Sequence, residues 1–514
     1  MAHKLHEEGN YSKSLPLLRK LVQESPDSYE ASLLLGDELL RTGERKQAIE
    51  SLLLAASLRP HENQPLLLLA EAATRSNNFS LAADVLQKAL ANQPDRDEEL
   101  LAWADFSLDR SREIGIMLRR SRPGEAVMLL VAASNRNADD ANHRALLTEA
   151  VGKDPTCAEA QSAYGLALLA DGQIDAATAA LQQARELGPQ LSSTLELQAK
   201  LAAAEDRSGD AAELLHQLHI RSRSNYLRIL QSWPTFLPAP TQERELPPAA
   251  LPINLPAQTL FAQQAWDALQ QIKPATPEQQ LWQAMAQAAS GNCHHAIAPL
   301  EDGLALDPLH AGYWLQICYA RAGSELVARL TALHHQAALL EVRGDMLRLL
   351  ANDSAAAMHP YQSALALEPK TPRLLAKVAD ALARTENTTE AQHTAEQALA
   401  LDPHATAALR LLAQLALSER DYASAIKALS RLLTLEPADD WAHVQLGKSL
   451  AQNGESEKAL AQLIPELDAG YPDAKGALHA LVAGTLRQLG RTEEAARYTA
   501  EAARLSHAAE SSAP

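Results

Sequence analysis

The residues in this sequence that most resemble metal ligands are the tripeptide Cys293-His294-His295 and the pair His334-His335. Thiolate and imidazole groups are common zinc ligands. However, neighbouring side chains on a helix point about 100° apart, so adjacent histidines cannot easily hold one ion. No Cys-x-x-Cys or His-x3-His spacing accompanies them. We therefore predict no metal site and interpret these histidines as surface or inter-repeat residues.

Sequence signals for catalysis or for a cofactor are also missing. There is no glycine-rich phosphate loop, no Ser/His/Asp arrangement and no strand–turn–helix nucleophile motif. The three cysteines, Cys157, Cys293 and Cys318, are too few and too far apart for a disulfide framework. Cys318 is expected to be a buried, inert thiol. The sequence predicts a protein that is not an enzyme and that needs no cofactor.

The formal charge of −18 and the pI near 5.4 argue against a dedicated nucleic-acid binder. One basic cluster stands out and could hold phosphate or an acidic partner. The alternative is a solvated helix face whose charges pair with Asp105, Asp109 and Glu113. The cluster consists of Arg110, Arg112, Arg119, Arg120 and Arg122.

Composition favours helices over strands. Only 4% of the residues are aromatic, whereas the helix formers Ala, Leu, Gln and Glu are abundant. No run of 18 apolar residues and no apolar signal region after Met1 is present, so we predict no insertion into a membrane by this sequence.

Proline spacing reveals an internal repeat of 34 residues, which is the length of one helix pair in several repeat families. The prolines that keep this spacing are Pro26, Pro60 and Pro94, then Pro155 and Pro189, then Pro369, Pro403 and Pro437.

Other residues keep the same register. From Tyr29, the 8th, 15th, 20th, 27th and 32nd places hold Gly36, Gly43, Ala48, Ala55 and Pro60. We predict one helix before Gly43, which ends it in a left-handed conformation, and a second helix that Pro60 terminates. Small residues at the other places let the two backbones approach closely. Such a hairpin buries its apolar face only by stacking on neighbouring repeats.

This small–Gly–Ala–Ala–Pro pattern resembles the tetratricopeptide repeat (TPR) family over nearly the whole chain. The resemblance implies an all-α solenoid, a right-handed superhelix of antiparallel helix pairs. It also implies that the first helix of each repeat lines a concave face, with partner-facing residues at about the 2nd, 5th, 9th and 13th places.

We expect two repeat arrays joined by a proline-rich segment. The N-terminal array covers 1–225, with a partial first repeat and a short, degenerate repeat at 97–123. The C-terminal array covers 258–508, with a second short repeat at 311–337, followed by a tail at 509–514. A shortened second helix in both short repeats could bend the superhelix, although two independent deletions explain them equally well.

The segment 226–257 interrupts the repeats with seven prolines between Pro234 and Pro256. Prolines at this density favour an extended, semi-rigid chain. Because Trp233, Phe236 and Leu237 lie among them, we predict a linker that packs on the solenoid. A ligand for an SH3-like domain is the alternative, but no basic PxxP motif is present.

The groove positions implied by the resemblance include three pairs in which an acid precedes an arginine by four residues. These pairs either stabilise their own helix or form part of a polar recognition stripe. The candidate partner-binding residues are Asp37, Arg41, Glu71, Arg75, Asp380, Arg384, Arg410, Gln414 and Lys448.

We therefore predict a non-catalytic scaffold that binds a protein or peptide through its concave surface, and no nucleic acid. The alternative is a structural assembly factor of a bacterial-type envelope or secretion complex, anchored by a segment that precedes Met1. This alternative arises because the first helix of the first repeat is cut short at Met1. The expected compartment is cytoplasmic for the sequence as given, and periplasmic or envelope-associated if a signal or anchor is missing.

Overall fold

The computed structural model of this protein describes residues 1–7, 10–134, 141–221, 256–262 and 265–511. These residues form 28 α-helices and no β-strand, which confirms the predicted all-α class. The first thirteen are α1 Ala2–Glu7, α2 Tyr11–Glu24, α3 Tyr29–Arg41, α4 Arg45–Leu58, α5 Gln64–Arg75, α6 Phe79–Asn92, α7 Asp97–Leu118, α8 Arg122–Ser134, α9 Ala141–Lys153, α10 Ala158–Ala170, α11 Ile174–Leu187, α12 Ser192–Ala204 and α13 Ser208–Arg221.

Fifteen more helices follow the segment 222–255. They are α14 Ala257–Ala262, α15 Trp266–Gln271, α16 Pro277–Ala289, α17 Cys293–Gly303, α18 Pro308–Ala332, α19 Gln336–Leu349, α20 Ser354–Leu367, α21 Pro372–Arg384, α22 Thr388–Leu401, α23 Thr406–Ser418, α24 Tyr422–Leu435, α25 Asp440–Gln452, α26 Ser456–Asp468, α27 Ala477–Gln488 and α28 Thr492–Ser511.

Most of these helices pair into hairpins through turns of a few residues, as the repeat predicts. Gly43 ends the turn after α3 with φ +84°, in the left-handed region where glycine has no steric penalty. Ser28 caps α3 by accepting a hydrogen bond from the Ala31 amide. In this repeat the boundary predicted from the sequence therefore coincides with a helix boundary in the structure.

Small residues stand where the two helices of a hairpin cross. Ala48 and Ala55 are fully buried, and a Cβ added at Gly36 would lie 2.6 Å from Leu52 Cγ. The same crossing recurs at Gly447, where an added Cβ would lie 2.5 Å from Leu463 Cγ. Any larger side chain at these places would push the helices apart. The predicted packing role of the 8th, 20th and 27th places in the first full repeat is confirmed.

The repeat formed by α19 and α20 contains one extra residue between the two sides of its helix crossing. Gly36 and Gly447 each face a leucine that follows sixteen residues later, whereas Gly344 faces Tyr361, seventeen residues later. The glycine at the crossing fixes the register of the first helix. The 5th and 9th places of this repeat are therefore Glu341 and Asp345.

Contacts divide the described chain into two compact units that do not follow chain order. Unit 1 contains 1–76 and 330–514, and unit 2 contains 77–329. This division cuts across the arrays 1–225 and 258–508 that the sequence suggests. In unit 1, buried apolar residues form successive clusters along α20–α28. In unit 2, further clusters lie along α8–α13 and around α14–α16.

In unit 2, hairpins that are far apart in sequence pack on each other. Helix α6 packs on α17, and α7 contacts α18, where Ser111 Oγ donates to Gln316 Oε1 over 3.0 Å. Phe106 and Tyr319 meet edge to face at 6.4 Å between ring centroids. The expectation that each repeat stacks only on its chain neighbours is therefore wrong for these helices.

The two short repeats differ from the expectation as well. Repeat 97–123 consists mainly of the single 22-residue helix α7, and repeat 311–337 is mostly the 25-residue helix α18. The first helix has been extended, and no short second helix follows it. The hypothesis of a shortened second helix in each short repeat is thus wrong.

These two long helices belong to a longer correspondence between the halves of the chain. Residues with left-handed backbone recur 214 positions apart, at Asn77 and Gly291, Gly172 and Glu386, and Asp206 and Arg420. Pro94 and Pro308 keep the same offset, so α6–α7 correspond to α17–α18. In unit 2 the equivalent hairpins of the two halves thus pack on one another.

Cys293 and Cys318 form a disulfide that joins the start of α17 to α18, with Cα atoms 5.2 Å apart. The prediction that Cys318 is a free thiol is therefore wrong. The two cysteines stand at the 17th place of one repeat and the 8th place of the next, and stacking brings these places together. Cys157 is a free thiol, and burial raises its pKa to about 12.

The proposed packing of the proline-rich linker cannot be compared with the structure. Residues 222–255 of the segment 226–257 lie outside the described residues. At the C-terminus, α28 continues to Ser511, three residues into the expected tail 509–514.

Candidate functional site

All nine candidate partner-binding residues lie in unit 1, on the first helices of their repeats. Four belong to α3 and α5 near the N-terminus, and five belong to α21, α23 and α25. Consecutive first helices also touch each other directly, as α21 and α23 do. The nine predicted positions therefore lie on the same side of their hairpins, the side that the first helices form.

The three acid–arginine pairs are formed within their helices. Arg41 Nε lies 3.0 Å from Asp37 Oδ1, Arg75 Nη2 lies 2.6 Å from Glu71 Oε1, and Arg384 Nε lies 2.9 Å from Asp380 Oδ2. Exposed pairs at this spacing contribute only a few tenths of a kcal/mol to a helix. An acid or arginine of such a pair can contact a further partner only if its side chain is exposed and has donors or acceptors that the pair does not use.

Asp37 is the least accessible of the nine because α1 lies against α3. His6 Nε2 is 3.3 Å from Asp37 Oδ2, and His6 Nδ1 is 3.2 Å from Glu38 Oε1. Ser14 Oγ on α2 donates to both oxygens of the fully buried Glu38 carboxylate, at 2.6 and 2.7 Å. These contacts thus hold α1 and α2 against α3.

Electrostatics in this cluster favour a charged histidine. Hydrogen bonds from the ring to Asp37 and Glu38 raise the His6 pKa to about 9, although burial acts in the opposite direction. Burial also opposes ionisation of Asp37, but the contacts with His6 and Arg41 outweigh it and lower the Asp37 pKa. At neutral pH, His6 is therefore a cation between two carboxylates.

We predict that the attachment of α1 weakens in alkaline solution. A raised pKa in the folded state contributes stability that is complete below the unfolded value of about 6.5 and is lost as the pH rises through about 9. Hydrogen exchange of α1 and α2 should therefore accelerate relative to the rest of unit 1 between pH 7 and pH 10, after correction for intrinsic exchange. In His6→Gln, α1 and α2 should already exchange fast at pH 7 and show little further change. Equal pH dependence in both proteins would contradict the assignment.

The other N-terminal positions also have partners inside unit 1. Arg75 Nη2 reaches Glu436 Oε2 at 3.4 Å in addition to Glu71. Glu436 precedes α25, so the N-terminal and C-terminal parts of this unit meet at Arg75. Asp37, Arg41, Glu71 and Arg75 are therefore largely committed to contacts within the protein.

A second charged cluster, which the sequence did not suggest, lies on α19 and α21. Lys377 Nζ bridges two buried carboxylates, at 2.9 Å from Glu341 Oε1 and 2.6 Å from Asp345 Oδ2. Arg373 Nη2 is 2.9 Å from Glu341 Oε2, and the Tyr361 hydroxyl donates to Asp345 Oδ1 over 2.7 Å. Burial, with Asp345 beside it, raises the pKa of Tyr361 strongly.

This cluster was missed because of the extra residue in the α19–α20 repeat. Counted from the proline, Glu341 and Asp345 fall at the 4th and 8th places, which are packing positions. Counted from Gly344, they fall at the 5th and 9th places, which line the groove. Arg373 and Lys377 on α21 pair with Glu341 and Asp345 on α19, so the cluster holds two neighbouring first helices together.

The C-terminal candidates are more accessible. Arg348 Nη1 lies 3.7 Å from Asp380 Oδ2, which links α19 to α21. The Arg410 guanidinium pairs with Asp439 and lies over the Trp441 ring, 4.6 Å from its centroid.

Gln414 and Lys448 occupy the same place in consecutive repeats, on α23 and α25. Gln414 is exposed and Lys448 half-buried. Within the described part of the chain, neither side chain has a hydrogen bond or an ion pair. Donors for a ligand are thus concentrated on α23 and α25.

The histidine-rich segments form no metal site in the described residues. Cys293 is engaged in the disulfide, and the His294 and His295 rings contact each other edge to face with centroids 5.0 Å apart. No three His, Cys, Asp or Glu side chains within the described ranges converge as metal ligands would. None of the helices in these ranges combines the length and the apolar character needed to cross a bilayer.

In comparisons with known proteins, family models match the repeat units. Two family models described as tetratricopeptide repeat match residues 33–97, 128–192 and 377–440 in one case, and 5–59 and 416–481 in the other. Together these segments cover about half of the chain. No match was found among curated proteins.

A search of solved structures gave matches that include the following three. MamA from Desulfovibrio magneticus RS-1 shares 18% identity over 34% of this chain and 96% of its own, with a TM-score of 0.31. The APC/C hetero-tetramer Cut9–Hcn1 shares 14% identity over 98% and 92%, with a TM-score of 0.31. The P58(IPK) TPR domain shares 16% identity over 89% and 97%, with a TM-score of 0.21. On the repeat pattern, the helix hairpins and the family models, the chain belongs to the tetratricopeptide repeat family.

Proposed function

We propose that this protein is a non-catalytic scaffold that binds a protein partner on the groove formed by the first helices of unit 1. The site comprises the nine candidate residues, and the part on α21, α23 and α25 makes the main contact. The proposal extends the family assignment to a defined surface. It involves no cofactor and no nucleic acid.

The observation that carries the proposal is the accessible polar row of these three helices. Gln414 and Lys448 offer hydrogen-bond donors that no described side chain uses. Arg384 and Arg410 lie on the same helices, and their single acidic partners leave guanidinium donors available. Behind this row the helices are held by fully buried residues such as Ala379, Ala413 and Val444. A rigid apolar base with a polar surface is what a recognition site requires.

Size favours a polypeptide partner over a small ligand. Neighbouring packed helices lie about 10 Å apart, so the three first helices present a surface roughly 20 Å across. Side chains at the same place in each repeat give regularly spaced anchor points along it. An extended peptide or a helix of the partner can contact several of them at once. Charges at the rim of such a surface mainly set association rate and register.

The test is affinity capture with the purified full-length protein and quantitative mass spectrometry. The groove variant is Gln414→Ala/Lys448→Glu. Its control, Gln414→Ala/Lys427→Glu, keeps the amide truncation and moves the charge reversal to an exposed lysine on the second helix α24. A groove partner should be captured at least tenfold less by the groove variant than by the control. Equal capture of every partner by both variants would refute the proposed site.

A further inference from the structure

The end of α7 and the start of α8 carry a basic surface patch in unit 2. Four exposed arginines lie within eleven residues of sequence, around one exposed isoleucine. Ile116 has 39% of its surface accessible, although most large apolar residues nearby are buried. The arginine patch consists of Arg112, Ile116, Arg119, Arg120 and Arg122.

Helical spacing places two of these side chains side by side. Ile116 follows Arg112 by four residues, so the two share one face of α7, and Arg120 lies in the turn that follows this helix. Arg119 still has helical backbone angles, with φ −71° and ψ −5°, and Arg122 begins α8 two residues after Arg120. The patch therefore combines one exposed aliphatic side chain with four exposed guanidinium groups at the end of α7 and the start of α8.

The fifth arginine of the sequence cluster behaves differently. Arg110 is buried in unit 2, where it pairs with Glu301, and it also pairs with Glu113. Glu113, which was expected to pair with the basic cluster, thus pairs with Arg110. None of the four patch arginines lies within 4 Å of a carboxylate oxygen of another described residue.

Some exposed arginines elsewhere in the protein do have such partners. Arg59 pairs with Glu30 at 2.6 Å, Arg207 with Glu205 at 2.5 Å and Arg504 with Glu501 at 2.5 Å. In a chain with 64 acidic and 46 basic residues, four arginines within eleven residues of sequence, none of them paired with a carboxylate of another described residue, form a local concentration of positive charge. Like charges held together repel each other, so an added anion relieves this repulsion as well as forming new hydrogen bonds.

We propose that the arginine patch is a docking site for an acidic segment of a partner protein. Glutamate or aspartate side chains of the segment bind the guanidinium groups, whose planar donors match a carboxylate in a bidentate arrangement. An aliphatic side chain between these acids packs on Ile116. The arginine patch belongs to unit 2, whereas the proposed groove belongs to unit 1.

The size of the patch favours a peptide segment over an anionic membrane. From Arg112 to the end of α7 it extends roughly 10 Å, at 1.5 Å per residue, and it continues through the turn to the start of α8. Charges further away than about 8 Å are largely screened at physiological ionic strength, so a short segment is attracted by the patch alone. A flat anionic bilayer would also approach surface beyond the patch, in a chain whose net charge is −18.

The experiment measures binding of a fluorescein-labelled peptide, Glu-Glu-Leu-Glu-Glu-Leu-Glu-Glu, to the full-length protein by fluorescence anisotropy. The same peptide with glutamine in place of glutamate is the ligand control. Neutralising the patch should raise the dissociation constant for the acidic peptide at least tenfold, and 300 mM NaCl should weaken binding to the unchanged protein. The patch variant is Arg112→Gln/Arg119→Gln/Arg120→Gln/Arg122→Gln.

A matched variant separates local recognition from net charge. It removes the same four positive charges from exposed arginines that are paired with acids, and we expect its dissociation constant to stay within threefold of the unchanged protein. Circular dichroism checks that both variants are folded, and the double change Arg112→Gln/Arg120→Gln provides a milder test with at least a threefold loss. The matched variant is Arg59→Gln/Arg96→Gln/Arg207→Gln/Arg504→Gln.

Three results would overturn the proposal. One is an equal loss of peptide binding in the patch variant and the matched variant, which would indicate net charge alone. The second is unchanged binding in the patch variant. The third is patch-dependent binding to phosphatidylglycerol vesicles without binding to the peptide, which would identify a membrane surface as the ligand.

Discussion

Replacing Arg110 with alanine should destabilise unit 2 by about 3–5 kcal/mol, the cost typical of removing one partner from a buried ion pair. Glu301, on α17, would remain as a buried carboxylate without its cation. Its side chain is only 1% exposed, and that of Arg110 is 9% exposed. Because the two residues are 191 positions apart in sequence, the loss would fall on the packing of α6–α7 against α17–α18.

The geometry around this pair explains the size of the effect. Arg110 Nε and Nη2 donate to the two Glu301 oxygens at 3.2 and 2.6 Å, a bidentate arrangement. The guanidinium also lies over the Phe79 ring, 3.5 Å from its centroid, and the Tyr319 hydroxyl donates to Glu301 Oε1 over 2.6 Å. Alanine would remove all contacts of the cation and leave a cavity beside Phe79.

Urea unfolding followed by far-UV circular dichroism measures the loss. The control is Arg112→Ala, which truncates an exposed arginine two residues away on the same helix and should change stability by less than about 0.5 kcal/mol. The double variant Arg110→Met/Glu301→Leu should recover most of the stability, since apolar groups can replace a buried pair. Similar unfolding of Arg110→Ala and Arg112→Ala would show that the pair does not hold the helices together.

The local part of this fold could be predicted from sequence because each hairpin depends on residues close in the chain. Gly36, Ala48, Ala55 and Pro60 specify a crossing and two helix ends within one repeat. Each of these repeats also stacks on the neighbouring repeats in the chain, whether or not distant helices contact it. A 34-residue period therefore indicates helix pairs and their order, and the structure agrees.

The packing of α6–α7 on α17–α18 could not be predicted in this way. Its contacts, such as Ser111 with Gln316, join residues 205 positions apart and follow no period. The residues that make it, including Arg110, looked like part of a solvated basic face. Only the buried position of Glu301 shows where this arginine is directed. A correspondence of 214 residues between the halves was present in the sequence, but on its own it did not indicate contact.

The candidate site was only partly predictable for a different reason. Positions in the groove follow from the repeat register, so a one-residue insertion between a position and the proline from which it is counted moves that position by one place. The extra residue in the α19–α20 repeat concealed Glu341 and Asp345, whereas regular repeats placed Asp380, Gln414 and Lys448 on equivalent first helices. The sequence also cannot show that His6, on a helix of six residues, binds Asp37.

Reduction of the Cys293–Cys318 disulfide should lower the stability of unit 2 by about 3.5 kcal/mol, the chain-entropy value for a loop of this length. The two residues are 25 positions apart, and both side chains are buried. The bond joins the helix that carries Glu301 to the helix that carries Tyr319. The bond therefore limits the relative movement of α17 and α18, the two helices that carry Glu301 and Tyr319 around Arg110.

Thiol labelling and unfolding together test this bond. Of the three cysteines, the denatured but unreduced protein should expose one to iodoacetamide, and the reduced protein three. The folded protein should label slowly, since burial keeps the Cys157 thiol protonated at neutral pH. The paired variant Cys293→Ser/Cys318→Ser should unfold at lower urea than Cys157→Ser, which retains the bond.

Labelling the protein directly in its native cell also addresses its compartment. Buried disulfides form and persist in oxidising environments and are rare where glutathione and thioredoxin keep thiols reduced. One reactive thiol under denaturing conditions would therefore favour the envelope-associated alternative for this scaffold. Three reactive thiols would show that the cysteines remain reduced in the cell. Unit 2 would then rely on the Arg110–Glu301 pair and its apolar contacts without covalent support.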